Sequence, residues 1–189
     1  GWRPTHMQGT QVTGKTLGLV GLGRIGRAMA KKAHHGFEMP ILGFDPYPPS
    51  DDVCRADGIT LVDDLATNFK ESDFVSIHCP ATPENRHLVN AERLAMMPSH
   101  AYLINTARGD IVDEAALLEA LRNDRIRGAG LDVFEREPAL TEGLAELDNA
   151  VLLPHLGSAT RETREAMGMR VLANALAFFN GDEPGDRVA

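Results

Sequence analysis

Only two cysteines occur in the 189 residues, Cys54 and Cys79. They lie in different segments and form neither a Cys-x-x-Cys pair nor a disulfide framework, so a reducing compartment, the cytoplasm, is the default. Runs of lysine or arginine are also missing, and the formal net charge is -8. A nucleic-acid groove and an anionic membrane surface are therefore excluded as partners, while small anions are not. No apolar run reaches transmembrane length. His34, His35 and His78 have no paired spacing that suggests a metal, so none is expected and all three read as structural or exposed. Repeats and low-complexity tracts are absent. The opening GWRPTHMQG is neither a signal peptide nor an initiator methionine, and reads as a cut end or the middle of something longer.

What is present is an alternation. Short apolar segments at 16–20, 41–44, 59–62, 74–78, 101–105, 129–133 and 150–153 read as strands. Several are apolar almost throughout, as strands buried on both faces of a parallel sheet must be. Helical patterns fall between them at about 24–34, 63–69, 90–96 and 113–122. Asp113 is a reasonable N-cap for the last of these, and Arg122 and Arg125 sit near its C-terminus, where a cation is favoured. Strand, helix and strand in repetition predict an α/β fold with an open, doubly wound parallel sheet. After His155 the rhythm changes to one long amphipathic helix of roughly 160–180, with Leu172, Ala175, Leu176 and Phe179 on one face.

The stretch LGLVGLGRIGRAMA runs the first strand into Gly21-x-Gly23-x-x-Gly26 and then into a helix. A tight strand-to-helix turn can use the same glycines for structural reasons alone. In this context a phosphate cradle accounts for each of them: Gly21 permits the turn, Gly23 allows a pyrophosphate to approach the backbone, and Gly26 lets helix and strand pack closely. Asp45 follows Gly26 by 19 residues, at the end of the second strand. A carboxylate there accepts hydrogen bonds from an adenosine ribose and repels a 2′-phosphate, which predicts NAD rather than NADP. Asp45 also precedes Pro46, and Asp-Pro commonly opens a turn.

Beyond the switch point of such a sheet, polar residues follow the later strands: Arg108 after 101–105, Glu137 after 129–133, and His155 after 150–153. These three ionisable groups are expected on one rim. Reduction of a 2-keto acid by hydride needs a proton for the developing alkoxide and a cation to orient the carboxylate. His155 can supply the proton, and an adjacent Glu137 would favour its charged form. Arg108 offers a planar fork to a carboxylate. Glu135, in the charged run Glu135-Arg136-Glu137, reads as solvated.

Four blocks in order, GKTLGLVGLGRIGRAMA, LINTARGDIVDEAAL, GAGLDVFEREP and LLPHLGSATRETREAM, closely resemble the NAD-binding domain and C-terminal helix of the D-isomer-specific 2-hydroxyacid dehydrogenases. That resemblance covers nearly all the chain and implies a Rossmann-type domain. It implies that Arg108 binds substrate, that Glu137 pairs with the histidine, and that His155 donates and accepts the proton. It also implies cofactor contacts: Arg24 and Ile25 at the pyrophosphate, Cys79 and Pro80 near the ring system, Thr106 and Ala107 beside Arg108, and Asp132 at the nicotinamide carboxamide. Gly157 and Ser158 would complete that pocket.

Within the family, WRPTHMQGTQVTGKTLG and GSATRETREAMGMRVL look most like the glyoxylate/hydroxypyruvate reductase branch. Many of its members prefer NADPH, an expectation that Asp45 opposes. The resemblance divides the chain into a remnant of an interdomain link at 1–11, a dinucleotide-binding domain at 12–158, and a C-terminal helix and tail at 159–189. The tail would pack toward an absent substrate domain or a partner subunit. A homodimer through the cofactor domain and a small 2-keto or 2-hydroxy acid substrate are implied as well. Two other readings stay open: an NAD(H)-dependent interaction protein like the family's co-repressors, and a cofactor-binding fragment without turnover. A formate dehydrogenase is disfavoured, because Pro154 stands before His155 where that branch has glutamine.

Overall fold

The computed structural model describes residues 2–4, 6 and 8–187. The chain forms two compact units, residues 1–154 and 155–189. In the first unit, seven strands make one sheet: β1 (Leu17–Val20), β2 (Ile41–Phe44), β3 (Ile59–Leu61), β4 (Phe74–Ile77), β5 (Tyr102–Asn105), β6 (Gly128–Leu131) and β7 (Ala150–Leu152). Their order is β3-β2-β1-β4-β5-β6-β7, and every pairing is parallel. The chain winds outward from β1 to β3 and returns to lay β4 on the other side of β1. The crevice at the carboxyl ends of β1 and β4 is therefore the topological switch point, where ligands of open α/β sheets bind.

Local chemistry sets the helices. α1 (Arg24–Phe37) starts directly at the glycine turn. α3 (Leu65–Glu71) is capped by Asp64, whose carboxylate accepts the Thr67 N–H at 2.7 Å. α4 (Ala91–Met96) is capped by Asn90, and α5 (Glu114–Arg122) by the expected Asp113, which accepts the Ala116 N–H at 3.0 Å. Each such cap is worth about 1 kcal/mol. One helix was not expected: α2 (Asp51–Asp57), which ends on Gly58 in the left-handed region. Its seven residues DDVCRAD carry no apolar stripe and follow the loop-like PYPPS, so periodicity does not reveal it. Asp51 and Asp52 do suit the positive end of its dipole.

The core divides across the sheet. Leu17, Leu19 and Ile41 pack with Ala30 and Ala33 of α1 and Cys54 of α2. A larger cluster joins Val75, Ile77 and Leu103 to Leu94 of α4 and to Leu117 and Leu121 of α5. Burial of such side chains, at about 1.5–3 kcal/mol each, is what holds helices and sheet together.

The second unit contains α6 (Arg161–Phe179), opened by Thr160, which accepts the Thr163 N–H. The chain after the helix is laid back on it: Asp186 takes two bonds from the Arg170 guanidinium, at 2.5 and 2.7 Å, and one from Asn174. The expectation of a single apolar face is corrected here. Met167, Met169, Val171 and Phe178 are exposed apolar residues of α6 alongside Leu172, Leu176 and Phe179. At about 100° per residue they cover roughly half of the helix circumference rather than one stripe. No helix among the described residues is long and apolar enough to cross a membrane.

Candidate cofactor and substrate site

The glycine turn follows β1 without a spare residue. Gly21 has φ 98°, open to a residue without Cβ, and a Cβ there would come within 2.5 Å of the Cys79 nitrogen at the end of β4. A Cβ on Gly26 would overlap the Gly21 carbonyl oxygen. These two glycines are thus fixed by packing. Gly23 differs: a Cβ there meets nothing within 4 Å. The fold leaves that position open, so a group bound there could approach the backbone closely. Gly23 caps α1 with no side-chain acceptor, and the first turn of α1 holds no acidic residue, so the helix presents its positive end to the crevice. Arg24 and Ile25 are exposed there.

Asp45 stands directly after β2. Its Oδ2 accepts the Leu22 N–H at 2.7 Å and its Oδ1 the Tyr47 N–H at 2.8 Å. The carboxylate is therefore tied to the glycine turn itself while also organising the turn before Pro46; the two readings of Asp45 coexist. Two ionised oxygens can accept about four bonds, so acceptor capacity remains for ribose hydroxyls.

Past the switch point, His78 and Cys79 follow β4. Burial lowers the His78 pKa to about 4, leaving a neutral ring whose Nε2 lies 3.0 Å from the Ser76 hydroxyl. Burial pushes the Cys79 thiol up to about 11, which makes it a poor nucleophile near neutrality. Pro80 is exposed, and its carbonyl accepts the Asn85 side-chain N–H.

The TARG turn after β5 is shaped by Asn105, a buried residue that the sequence did not single out. Its Oδ1 accepts the Ala107 N–H at 3.0 Å and its Nδ2 donates to the Arg108 carbonyl at 2.9 Å. Thr106 and Arg108 are exposed and Ala107 is half-buried. Asp132, just after β6, is buried, and its N–H donates to the Asn105 carbonyl. Five residues later Glu137 turns its Oε1 back to the Phe134 N–H at 3.0 Å. The Arg108 and Glu137 loops are in direct backbone contact, since a Cβ on Gly109 would overlap the Phe134 carbonyl carbon.

Glu135 is not solvated. Its side chain is 17% exposed, and its Oε1 accepts from His87 Nε2 at 2.9 Å and from Arg86 at 3.2 Å. The charged run hid this, because both partners come from a loop 48 residues or more away. Glu114, 2% exposed, has no sequence signal either; it accepts the Glu135 N–H and the Thr141 hydroxyl. His155 opens the second unit, three residues after β7, with φ 57°, a conformation uncommon for a residue with a Cβ. Gly157 is exposed and Ser158 half-buried. Among the described residues there is no group of three or more His, Cys, Asp or Glu that could hold a metal ion.

A seven-stranded parallel sheet with a glycine cradle at its switch point and a carboxylate at the end of β2 defines a dinucleotide-binding domain. Comparison with known proteins narrows the class. Residues 1–157 match the family model for the D-isomer specific 2-hydroxyacid dehydrogenase, NAD binding domain, and the chain belongs to that family. It is 46% identical over 190 residues to glyoxylate reductase of Thermococcus litoralis, covering all of this chain and 56% of that protein. It is 42% identical to D-3-phosphoglycerate dehydrogenase of Methanocaldococcus jannaschii, over 96% of this chain and 34% of the relative. Among solved structures, D-lactate dehydrogenase with NAD+ from Lactobacillus jensenii superposes with a TM-score of 0.87 at 28% identity, over 100% of this chain and 59% of that one. The chain thus spans about half or less of the curated relatives' length. NAD is the cofactor of this family's domain, and the bare face at Gly23, the uncapped helix end and the tethered Asp45 fit it.

Proposed function

We propose that this chain is the cofactor-binding part of an NAD-dependent oxidoreductase that interconverts small 2-keto and D-2-hydroxy acids, with glyoxylate or hydroxypyruvate as the keto acid. The observation that carries this reading is the contact between the loops after β5 and β6, which sets an exposed arginine and a carboxylate on adjacent strand ends. The 46% identity to a glyoxylate reductase supports the choice of substrate. The bound nicotinamide supplies or accepts the hydride.

The residues supply the rest. Arg108 receives the substrate carboxylate in its guanidinium fork and orients the 2-carbonyl. His155 gives its proton to the carbonyl oxygen as negative charge builds there, and Glu137 is the carboxylate that backs the imidazolium. Asp132, with Gly157 and Ser158, belongs to the nicotinamide pocket. Thr106, Ala107, Cys79 and Pro80 line the way from that pocket toward the adenosine end, and Arg24 and Ile25 flank the pyrophosphate. A homodimer formed through this domain completes the proposal.

The test is NADH consumption by the whole protein with glyoxylate, hydroxypyruvate and 3-phosphohydroxypyruvate. Reduction of the first two is expected, with His155→Ala removing most of it and leaving NADH affinity nearly intact. Strong preference for the phosphorylated acid would replace the substrate, and full activity in His155→Ala would remove the proposed proton donor.

A further inference from the structure

His87 sits between the two loops just described. Its backbone N–H donates to the Asp110 carbonyl at 2.9 Å, in the short helix Gly109–Ile111 that directly follows Arg108. Its ring Nε2 donates to the Glu135 carboxylate at 2.9 Å, two residues before Glu137. One residue therefore holds the Arg108 loop by its main chain and the Glu137 loop by its side chain. To do both, its backbone adopts φ 49°, a left-handed conformation that carries a cost for a residue with a Cβ.

The Glu137 loop is held from its other side too. Glu114 takes the Glu135 N–H at 2.6 Å and the Thr141 hydroxyl at 2.5 Å, so both ends of the segment 135–141 hang on one buried carboxylate. Glu135 itself is largely shielded, and its Oε1 is met by the His87 ring donor at 2.9 Å. Its other donor, Arg86, is 57% exposed and reaches in from solvent. The His87 ring is thus the shielded half of the link.

We propose that His87 is a positioning residue for the reaction: acting through Glu135, it sets the loop that bears Glu137 against the loop that bears Arg108. The assignment rests on the reading of Arg108 and Glu137 as substrate-handling groups. Arg108 and Glu137 both stand outside the strands, Arg108 at the start of a three-residue helix, and displacement of a catalytic group by about 1 Å can cost on the order of a hundredfold in rate. The shared Gly109–Phe134 contact limits how closely the loops approach, and the His87–Glu135 bond limits how they slide.

The test uses paired variants of the whole protein. His87→Asn tolerates the left-handed backbone but is too short to reach Glu135, whereas His87→Gln restores a donor at about the reach of Nε2. His87→Asn is expected to lower kcat/KM for the keto acid tenfold or more while the KM for NADH stays within twofold, and His87→Gln is expected to recover most of the loss. Glu135→Ala is expected to reproduce the His87→Asn defect. An Arg108→Gln control separates the two levels of the argument. If Arg108→Gln abolishes keto-acid turnover while His87→Asn leaves it unchanged, the positioning role is overturned and the site reading stands. If Arg108→Gln has no effect, the site reading falls and takes the positioning role with it. Equal defects in His87→Asn and His87→Gln, with NADH binding intact, would also overturn the proposal.

Discussion

Asp45 reaches back across the crevice to accept the Leu22 N–H at 2.7 Å, so the carboxylate that ends β2 is built into the glycine turn that ends β1. Its second oxygen is held by Tyr47, and the negative charge cannot swing aside to admit another. A 2′-phosphate placed at the ribose would face it directly. NADH is therefore expected to bind at least tenfold more tightly than NADPH, a ratio that needs only about 1.4 kcal/mol. Asp45→Ala should narrow the gap and weaken NADH too, because the Leu22 tether goes with it. Equal affinities for the two cofactors in a calorimetric titration of the unmodified chain would contradict this account.

The three glycines of the turn should separate under mutation. Gly23 has φ −67°, which alanine adopts readily, and a Cβ there meets no atom of the chain within 4 Å. Gly23→Ala is expected to leave the unfolding midpoint within a few degrees while reducing NADH affinity tenfold or more. Gly26→Ala should do the opposite first: its Cβ overlaps the Gly21 carbonyl, and the strain, on the order of 1–3 kcal/mol, falls on the fold with or without cofactor. Thermal melts with and without NADH distinguish the two. A Gly23→Ala protein that binds NADH normally would show that the pyrophosphate does not approach there.

The frame of the fold was legible because its signals are local. The apolar segment 41–44 coincides with β2, the other six lie within one or two residues of their strands at either end, and Asp113 caps α5. The glycine spacing together with Asp45 located the switch point. What stayed hidden is non-local. α2 is short and largely polar, with only Cys54 and Asp57 buried, so no apolar stripe marks it. Glu135 looked solvated because its partners Arg86 and His87 lie in another loop, and Glu114 and Asn105 organise turns that no spacing in the sequence connects to them. Arg108 and Glu137 stand out in the chain as ionisable residues that follow strands, but the backbone contact between their loops requires Gly109 and Phe134 to be seen together.

Acid should weaken the first unit through His78. Burial holds its pKa near 4, against 6.5 for a free imidazole. Protons therefore bind more readily to the unfolded chain below pH 6.5, so the stability this neutral ring contributes is present above pH 6.5 and is lost as pH falls through about 4. In full the loss is on the order of 3 kcal/mol. His78→Gln, which keeps a partner for Ser76 without a titrating group, should flatten that part of the profile. Urea denaturation at pH 7 and pH 4.5 checks it; identical pH dependence in the two proteins would place the sensitivity elsewhere.

The 189-residue chain by itself is expected to bind NADH, to self-associate, and to reduce glyoxylate feebly at best. Binding follows from the first unit, whose sheet, helices and glycine cradle bury a core with no help from outside. Weak turnover follows from coverage: the chain accounts for 56% of the length of its glyoxylate reductase relative, and Arg108 is exposed. A substrate carboxylate meeting Arg108 in water gains little, because the fork competes with solvent and the hydride acceptor is not held in a dry, fixed geometry. Self-association follows from α6, where Val171, Phe178 and Phe179 are each at least 67% exposed and an apolar surface of that extent favours being covered. Calorimetry with NADH, sedimentation, and a glyoxylate assay of this chain beside a longer protein that contains it would decide each point. A monomer at high concentration would remove the dimer, and equal turnover by the two proteins would show that everything the substrate needs is already present in the chain.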